Sequence, residues 1–387
     1  REQDETLIYL DHNATTPIDP IAADAMTRYT RDEFGNPSSV YPLGLNAKDG
    51  VERARQDVAS LLGCEHSEVI FTSGGSESNN MALKGMVDFK NPEKYHIITS
   101  AVEHPAILNP VRYLMELGVK VTILPVDRHG RVTPVDVGKA ITPDTSMISI
   151  MLANNETGTL YPIREISKIA KEYNIPLHTD AAQAVGKIPV DVNRLGVDLL
   201  SVTGHKLYGP KGVGALFIRE GIYITPLIHG AGQELGKRAG TENVILAVGL
   251  GAACEIAGKR LKDDIIKIKA LRDRLQEMLF DGIKGLVLNG HPEERLPNTL
   301  NISVPGIEGS KILEGLPGLA ASTGAACHDR SVKLSHVLSA MSVSAGVGMG
   351  TLRLSLGRGN DMYQVEKAAK QIITRVKEID VKINCQE

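Results

Sequence analysis

Five clusters of reactive side chains recur at one kind of position in this chain, just after a run of apolar residues. They are Gly74-Gly75-Ser76, His104, Asn155, Asp180 with Gln183, and His205-Lys206. Lys206 stands between the apolar run 198–202 and a turn, Tyr208-Gly209-Pro210-Lys211-Gly212. A lysine at the edge of a core can have a lowered pKa and act as an amine nucleophile. The same residues could also form a surface hairpin with a solvated lysine. Gly74-Gly75-Ser76, read between a strand and a helix, is either a plain tight turn or an anion site. The second reading rests on its unhindered backbone and the free amides of a helix start. Asp180 reads as a partly buried carboxylate or as a helix cap. His104 could stack on a flat ring, move a proton, or be structural. Cys327 sits among Gly, Ala, Ser and Thr beside His328, Arg330 and Lys333, cations that favour a thiolate; a chance loop cysteine is the plainer alternative. Arg353 lies in an alternating segment and could grip a carboxylate bidentately or face solvent.

These groups need a scaffold that brings strand ends together. Strands are expected at residues 68–71, 96–99, 119–126, 146–152, 176–179 and 198–202, with a second apolar run over 213–218. Helices are expected between most of them, including residues 46–62, whose Val51, Ala54, Val58, Leu61 and Leu62 share a face. Such alternation predicts an α/β fold with a mostly parallel sheet covered on both faces. In open α/β sheets ligands bind beyond the C-terminal strand ends, where all five clusters fall. Residues 244–280 read as one long helix, followed by short strands, a loop over 322–328, a strand over 352–356 and a closing amphipathic helix over 362–380. Gly249-Leu250-Gly251-Ala252-Ala253 lies inside the Ala-rich helical run and is read as a chance match to a dinucleotide fingerprint. The expected division is a large α/β domain, 17–260, and a smaller α+β domain made of 1–16 and 261–387.

The 387 residues are 42% hydrophobic and 23% charged with a net charge of −3, so nothing points to nucleic acid or to an anionic membrane. No apolar run approaches the roughly 20 residues that span a bilayer. The first residues, REQDETLIYLD, lack an apolar leader, and the four cysteines form no CxxC pair. A cytoplasmic protein with reduced thiols, no disulfide framework and no zinc site is expected.

An amine, an anion cup, a carboxylate, a ring-stacking histidine and a carboxylate-binding arginine together suit pyridoxal 5'-phosphate. At this point the chain resembles a known family, the cysteine desulfurases of the NifS/IscS type within aminotransferase class V. The stretches that carry the resemblance are IYLDHNATTPIDP (8–20), GNPSSVYPLG (35–44), EVIFTSGGSESNN (68–80), SAVEHPAI (100–107), MLANNETG (151–158), LHTDAAQAVGKIPVD (177–191), GHKLYGPKGVGAL (204–216), RAGTEN (238–243), STGAACH (322–328) and LRLSLGR (352–358).

The resemblance implies a fold type I pyridoxal phosphate-dependent transferase with a seven-stranded sheet. It implies that Lys206 holds the cofactor and removes the substrate's α-proton. Asp180 would pair with the ring nitrogen, Gln183 with the phenolic oxygen, and His104 would stack on the ring and assist proton transfer. Gly75, Ser76, Thr203 and His205 would hold the phosphate, joined by Thr241 from the partner subunit of a homodimer. Asn36, Asn155 and Arg353 would bind the substrate, L-cysteine, with Asn155 also touching the cofactor. Cys327 would accept the sulfur as a persulfide, release L-alanine, and pass the sulfur to an acceptor such as an iron–sulfur scaffold protein or another thiolation pathway. No metal site of the protein's own is implied, although Cys327 could lend a ligand to a nascent cluster. The loop from Cys327 to Leu338 resembles the long-loop group of the family. Thr203 replaces the serine frequent at that position but keeps the hydroxyl. The tail VKINCQE does not resemble the scaffold-binding tail of bacterial relatives. GAACH is also similar to selenocysteine lyases. That activity, another class V enzyme with an incidental Cys327, and a silent scaffold are the alternatives.

Overall fold

The computed structural model describes residues 7–323, 325–328 and 331–384, with side chains for residues 7–323 and 334–382. Arg330 and the last three residues of the tail lie outside the described residues, as do the side chains of Cys327, His328 and Lys333.

Seven strands form the central sheet: Val69–Thr72 (β1), His96–Ser100 (β2), Lys120–Leu124 (β3), Thr145–Ser149 (β4), Leu177–Asp180 (β5), Leu199–Thr203 (β6) and Gly214–Ile218 (β7). Their order is β1-β7-β6-β5-β4-β2-β3. All pairings are parallel except those of β7, which runs against both of its neighbours. The link from β6 to β7 is too short for the crossover that a parallel pair requires, so the chain must turn back. Every residue of β1, β2, β5, β6 and β7 is buried. The pleat sends Val69, Phe71, Leu200 and Val202 into one apolar layer, and Ile70, Leu199 and Leu216 into the other. Burial on both faces is why these strands appear in the sequence as unbroken apolar runs.

The helix Val244–Gly282 links two cores. Asn243 caps it by accepting from the Leu246 amide at 3.2 Å. Its first half packs on helix Pro42–Leu62, so closely that a Cβ on Gly251 would lie 2.5 Å from the Cα of Ala54. The glycine-rich run is therefore a helix contact. The second half sends Ile268, Leu271, Leu275 and Leu279 into a separate apolar cluster. That cluster also takes Ile8, Leu10, Leu300, Ile302, Leu352, Leu354 and the final helix Met362–Asn384. Leu275 and Leu279 are wholly buried there; truncating either to Ala would cost about 2–5 kcal/mol.

This second cluster lies against an antiparallel sheet in the order Ser322–Thr323, Thr351–Ser355, Thr299–Ser303, Val287–Leu288. The expected loop over 322–328 is different in structure. Residues 322–323 pair with the strand of Arg353, and Ala325–His328 forms a hairpin with Ser331–Leu334. Its small residues have weak strand preference, and the partner strand supplies the pairing. The helix Pro134–Ala140, capped by Thr133, was also absent from the sequence reading. No helix among the described residues is long and apolar enough to cross a membrane.

Candidate active site

The strand ends of the central sheet surround a cavity of about 350 Å³. Gly75, Ser76, His104, Asn155, Asp180, Gln183, Thr203, His205, Lys206 and Arg353 all line it. Of the residues expected to bind cofactor or substrate, Asn36 and Thr241 do not. Both are exposed, and Asn36 is engaged locally, accepting from the Ser38 amide at 2.9 Å.

Lys206 follows β6 in a single helical turn, Gly204–Lys206. The Leu207 amide closes the turn by donating to the Gly204 carbonyl at 3.1 Å, and the chain then passes through Tyr208 at φ 67°, a conformation costly for a bulky side chain. Tyr208 is held in turn by its hydroxyl, which accepts from the Arg358 amide at 2.8 Å, and by the Arg358 guanidinium over its ring. The amine of Lys206 donates to the carbonyls of Asn13 and Ala14, the latter at 2.8 Å. Burial lowers its pKa to about 8, with the positive charge of Arg353 adding to the effect and Asp11 and Asp180 opposing it. A neutral, nucleophilic amine is thus accessible near physiological pH.

Asp180 is the last residue of β5. Its carboxylate accepts from Asn79 Nδ2 at 2.8 Å and from the Ala182 amide at 2.9 Å. Gln183 Nε2 donates to the Asn13 carbonyl at 2.9 Å, while its Oε1 accepts from Lys187 at 2.6 Å. That pairing fixes which end of the amide is which. His104 caps helix Pro105–Glu116, its Nδ1 accepting from the Ala106 amide at 3.0 Å, so the neutral ring carries its proton on Nε2. Its pKa is lowered, chiefly by desolvation, with Lys206 and His336 adding and Asp180 opposing.

The expected anion cup falls at the start of helix Gly75–Gly85, which has no side-chain cap. Gly74 precedes it at φ 149°, open to glycine. A Cβ on Gly75 would come within 2.3 Å of Thr203 Oγ1. His205 Nδ1 lies 3.1 Å from Thr15 Oγ1, and burial, followed by the neighbouring Lys206 charge, brings its pKa down to about 4. On the opposite wall Arg353 Nη2 donates to Asp11 Oδ1 at 2.9 Å and Ser322 Oγ at 3.0 Å, and Nη1 to the Asn155 carbonyl at 3.1 Å. Arg353 Nε and Asn155 Oδ1 are buried without a protein partner.

The sequence reading missed Asn13, Ala14, Asn79, Lys187 and Asp11. Asn13 is a hub: its carbonyl serves Lys206 and Gln183, its Oδ1 accepts from Lys187 at 3.1 Å, and its Nδ2 donates to Thr299 Oγ1 at 2.8 Å. Burial pushes the Lys187 amine well below its usual range. Glu103 is wholly buried; burial raises its pKa to about 8 against the pull of bonds from the Met151 amide and Ser100.

A mostly parallel seven-stranded sheet with a lysine-bearing cavity at its strand ends is the fold type I plan. The model of the family "Aminotransferase class-V" matches residues 8–368. Cysteine desulfurase IscS of Dictyoglomus turgidum is 50% identical over 352 residues, 90% of this chain and 89% of that protein. A solved NifS-like protein superposes with a TM-score of 0.90 at 38% identity, covering 96% of this chain and all 100% of that one. SspA, solved in complex with cysteine, superposes with a TM-score of 0.81 at 36% identity, covering 90% and 98%. The chain belongs to the aminotransferase class-V family, in its cysteine desulfurase branch.

Proposed function

We propose that this protein removes sulfur from L-cysteine, yielding L-alanine and a persulfide on Cys327, with pyridoxal phosphate held in the cavity of Lys206. The observation that carries the reading is the convergence of Lys206, Asp180 and Arg353 on one cavity of about 350 Å³. The cavity fits the cofactor. Gly75 leaves its helix start bare where a side chain would collide with Thr203, and Asn155 and Arg353 each bring a buried polar atom with no protein partner. A phosphate suits the uncapped helix start with Ser76, Thr203 and His205 around it. Asp180 suits a ring nitrogen, Gln183 a phenolic oxygen and His104 a ring face.

Pyridoxal phosphate, when bound, supplies an electron sink for the substrate's α-carbon. The protein does the rest. Arg353 and Asn155 hold the substrate, with the substrate carboxylate replacing Asp11 as the guanidinium's partner. The neutral amine of Lys206 takes the α-proton. The Cys327 thiolate attacks the substrate sulfur; the carbon–sulfur bond breaks, its electrons stay with carbon, and reprotonation gives alanine. The persulfide then passes to an acceptor protein, of which an iron–sulfur scaffold is one class.

Two assignments accompany this reading. The protein acts as a homodimer in which Thr241, exposed in one chain, completes the partner's phosphate site. The exposed apolar side chains Phe34, Val40, Tyr41, Ile228 and Leu235, near Asn36 and Thr241 in the chain, support such a covered face. The chain divides into domains 17–260 and 1–16 with 261–387, in line with the separate apolar cluster. A thiol that must stay reduced between turnovers suits the cytoplasm.

The test is to incubate the holoenzyme with L-cysteine and a reductant. Equal yields of alanine and sulfide are expected, and, before reduction, a mass gain of one sulfur atom on the Cys327 peptide. Negligible sulfide from cysteine with brisk turnover of selenocysteine would overturn the reading in favour of a lyase.

A further inference from the structure

The hairpin Ala325–His328/Ser331–Leu334 leads directly into Ser335 and His336, and both are tied to loops that furnish the cavity. Ser335 Oγ donates to Glu156 Oε2 at 2.5 Å and accepts from the amides of Val337 at 3.1 Å and Leu338 at 3.4 Å. One hydroxyl therefore caps the helix His336–Ala340 and binds it to the residue after Asn155. His336 Nε2 donates to the carbonyl of Glu103, the residue before His104, at 2.9 Å. The Glu156 carbonyl is itself fixed by Asn301 Nδ2 at 3.0 Å. Burial raises the pKa of Glu156, while Ser335, His336 and Arg353 hold it down. None of Glu103, Glu156, Ser335 and His336 lines the cavity.

We propose that Ser335 on Glu156 and His336 on Glu103 form a two-point anchor that fixes where the hairpin leaves the cavity wall, and so the reach of Cys327 toward the substrate. These are positioning residues for sulfur transfer, and the inference rests on Cys327 being the sulfur acceptor. The anchor pairs the thiol's support with the same two loops that present His104 and Asn155. Any shift of those loops therefore moves both halves of the reaction together.

The test uses the holoenzyme with Glu156→Ala, Glu156→Gln, which keeps an acceptor for Ser335, and Ser335→Asp, which keeps the helix cap but opposes two carboxylates. Backbone hydrogen exchange over residues 325–334 should accelerate roughly tenfold in Glu156→Ala and Ser335→Asp, as expected for losing one charge-assisted hydrogen bond. Single-turnover persulfide formation on Cys327 should slow by about the same factor, with cysteine affinity, read from cofactor absorbance, within about twofold. Glu156→Gln should recover most of both. Should Glu156→Ala fail to fold, His336→Ala removes the second tie at an exposed position and should accelerate exchange in the same segment. Unchanged exchange over 325–334 would overturn the anchor. So would persulfide formation and cysteine affinity falling together, or a Gln variant no better than Ala. If the wild-type protein forms no persulfide on Cys327, the acceptor reading fails on its own, and the exchange data still judge the anchor.

Discussion

The cavity wall and the hairpin that carries Cys327 are built on opposite plans. In the wall three of the working side chains are gripped at two points each: Lys206 by two carbonyls, Asp180 by Asn79 and Ala182, Gln183 by Asn13 and Lys187. The strands that end there, β5 and β6, are paired on both sides. The hairpin's two strands of four residues form a sheet of their own, pairing with no other strand among the described residues. An isolated pair of that size is marginally stable at best. Proton transfer demands donors held to a fraction of an ångström. A thiol that collects an atom in one place and surrenders it in another demands a support with few other obligations.

Substitutions on each side should break this contrast in different ways. Lys206→Ala has the largest expected effect, a loss of alanine production on the order of 10³-fold or more, with the thermal midpoint within a few degrees of the parent. Measuring both in one preparation checks it, since the wall should survive the loss of its amine. Cys327→Ser should also abolish persulfide formation but leave cofactor absorbance and its response to cysteine intact. A variant that lost the cysteine response would show that the hairpin belongs to the wall after all. Arg353→Ala should raise the KM for cysteine roughly tenfold to hundredfold, the range of a charge-assisted pair, with a smaller change in kcat. The mildest expectation concerns pH. Because burial lowers the folded-state pKa of Lys206 to about 8, its neutral fraction should climb through that pH in the cofactor-free protein. Labelling by an amine-reactive reagent should therefore show a midpoint near pH 8 for Lys206, and near the ordinary lysine value for exposed lysines.

Much of the wall was legible in the sequence because its residues follow apolar runs. A strand buried on both faces advertises itself, and the residue after it is placed at the ligand edge by topology alone. Lys206, Asp180 and His104 were found that way. Asn13, Asn79 and Lys187 were not. Each owes its role to a partner far along the chain, such as Asn79 with Asp180 or Lys187 with Asn13, and no local pattern announces such a pair. The hairpin was read as a loop because Ala325, Ala326 and Cys327 have no strand signature of their own. The opening turn at residues 11–16 was read only as polar.

That turn has a consequence for how the molecule comes into being. The carbonyls that receive Lys206 belong to residues 13 and 14, yet the turn is itself fastened by Asn298, Thr299 and Ser355, through contacts such as the Asn13 amide to Ser355 Oγ at 2.9 Å. Asn13 is thus locked by residues 285 to 342 positions further along the chain. A nascent chain that has already exposed Lys206 still lacks the clasp that orients it. The reactive amine is completed only once Asn298, Thr299 and Ser355 have been made and folded back.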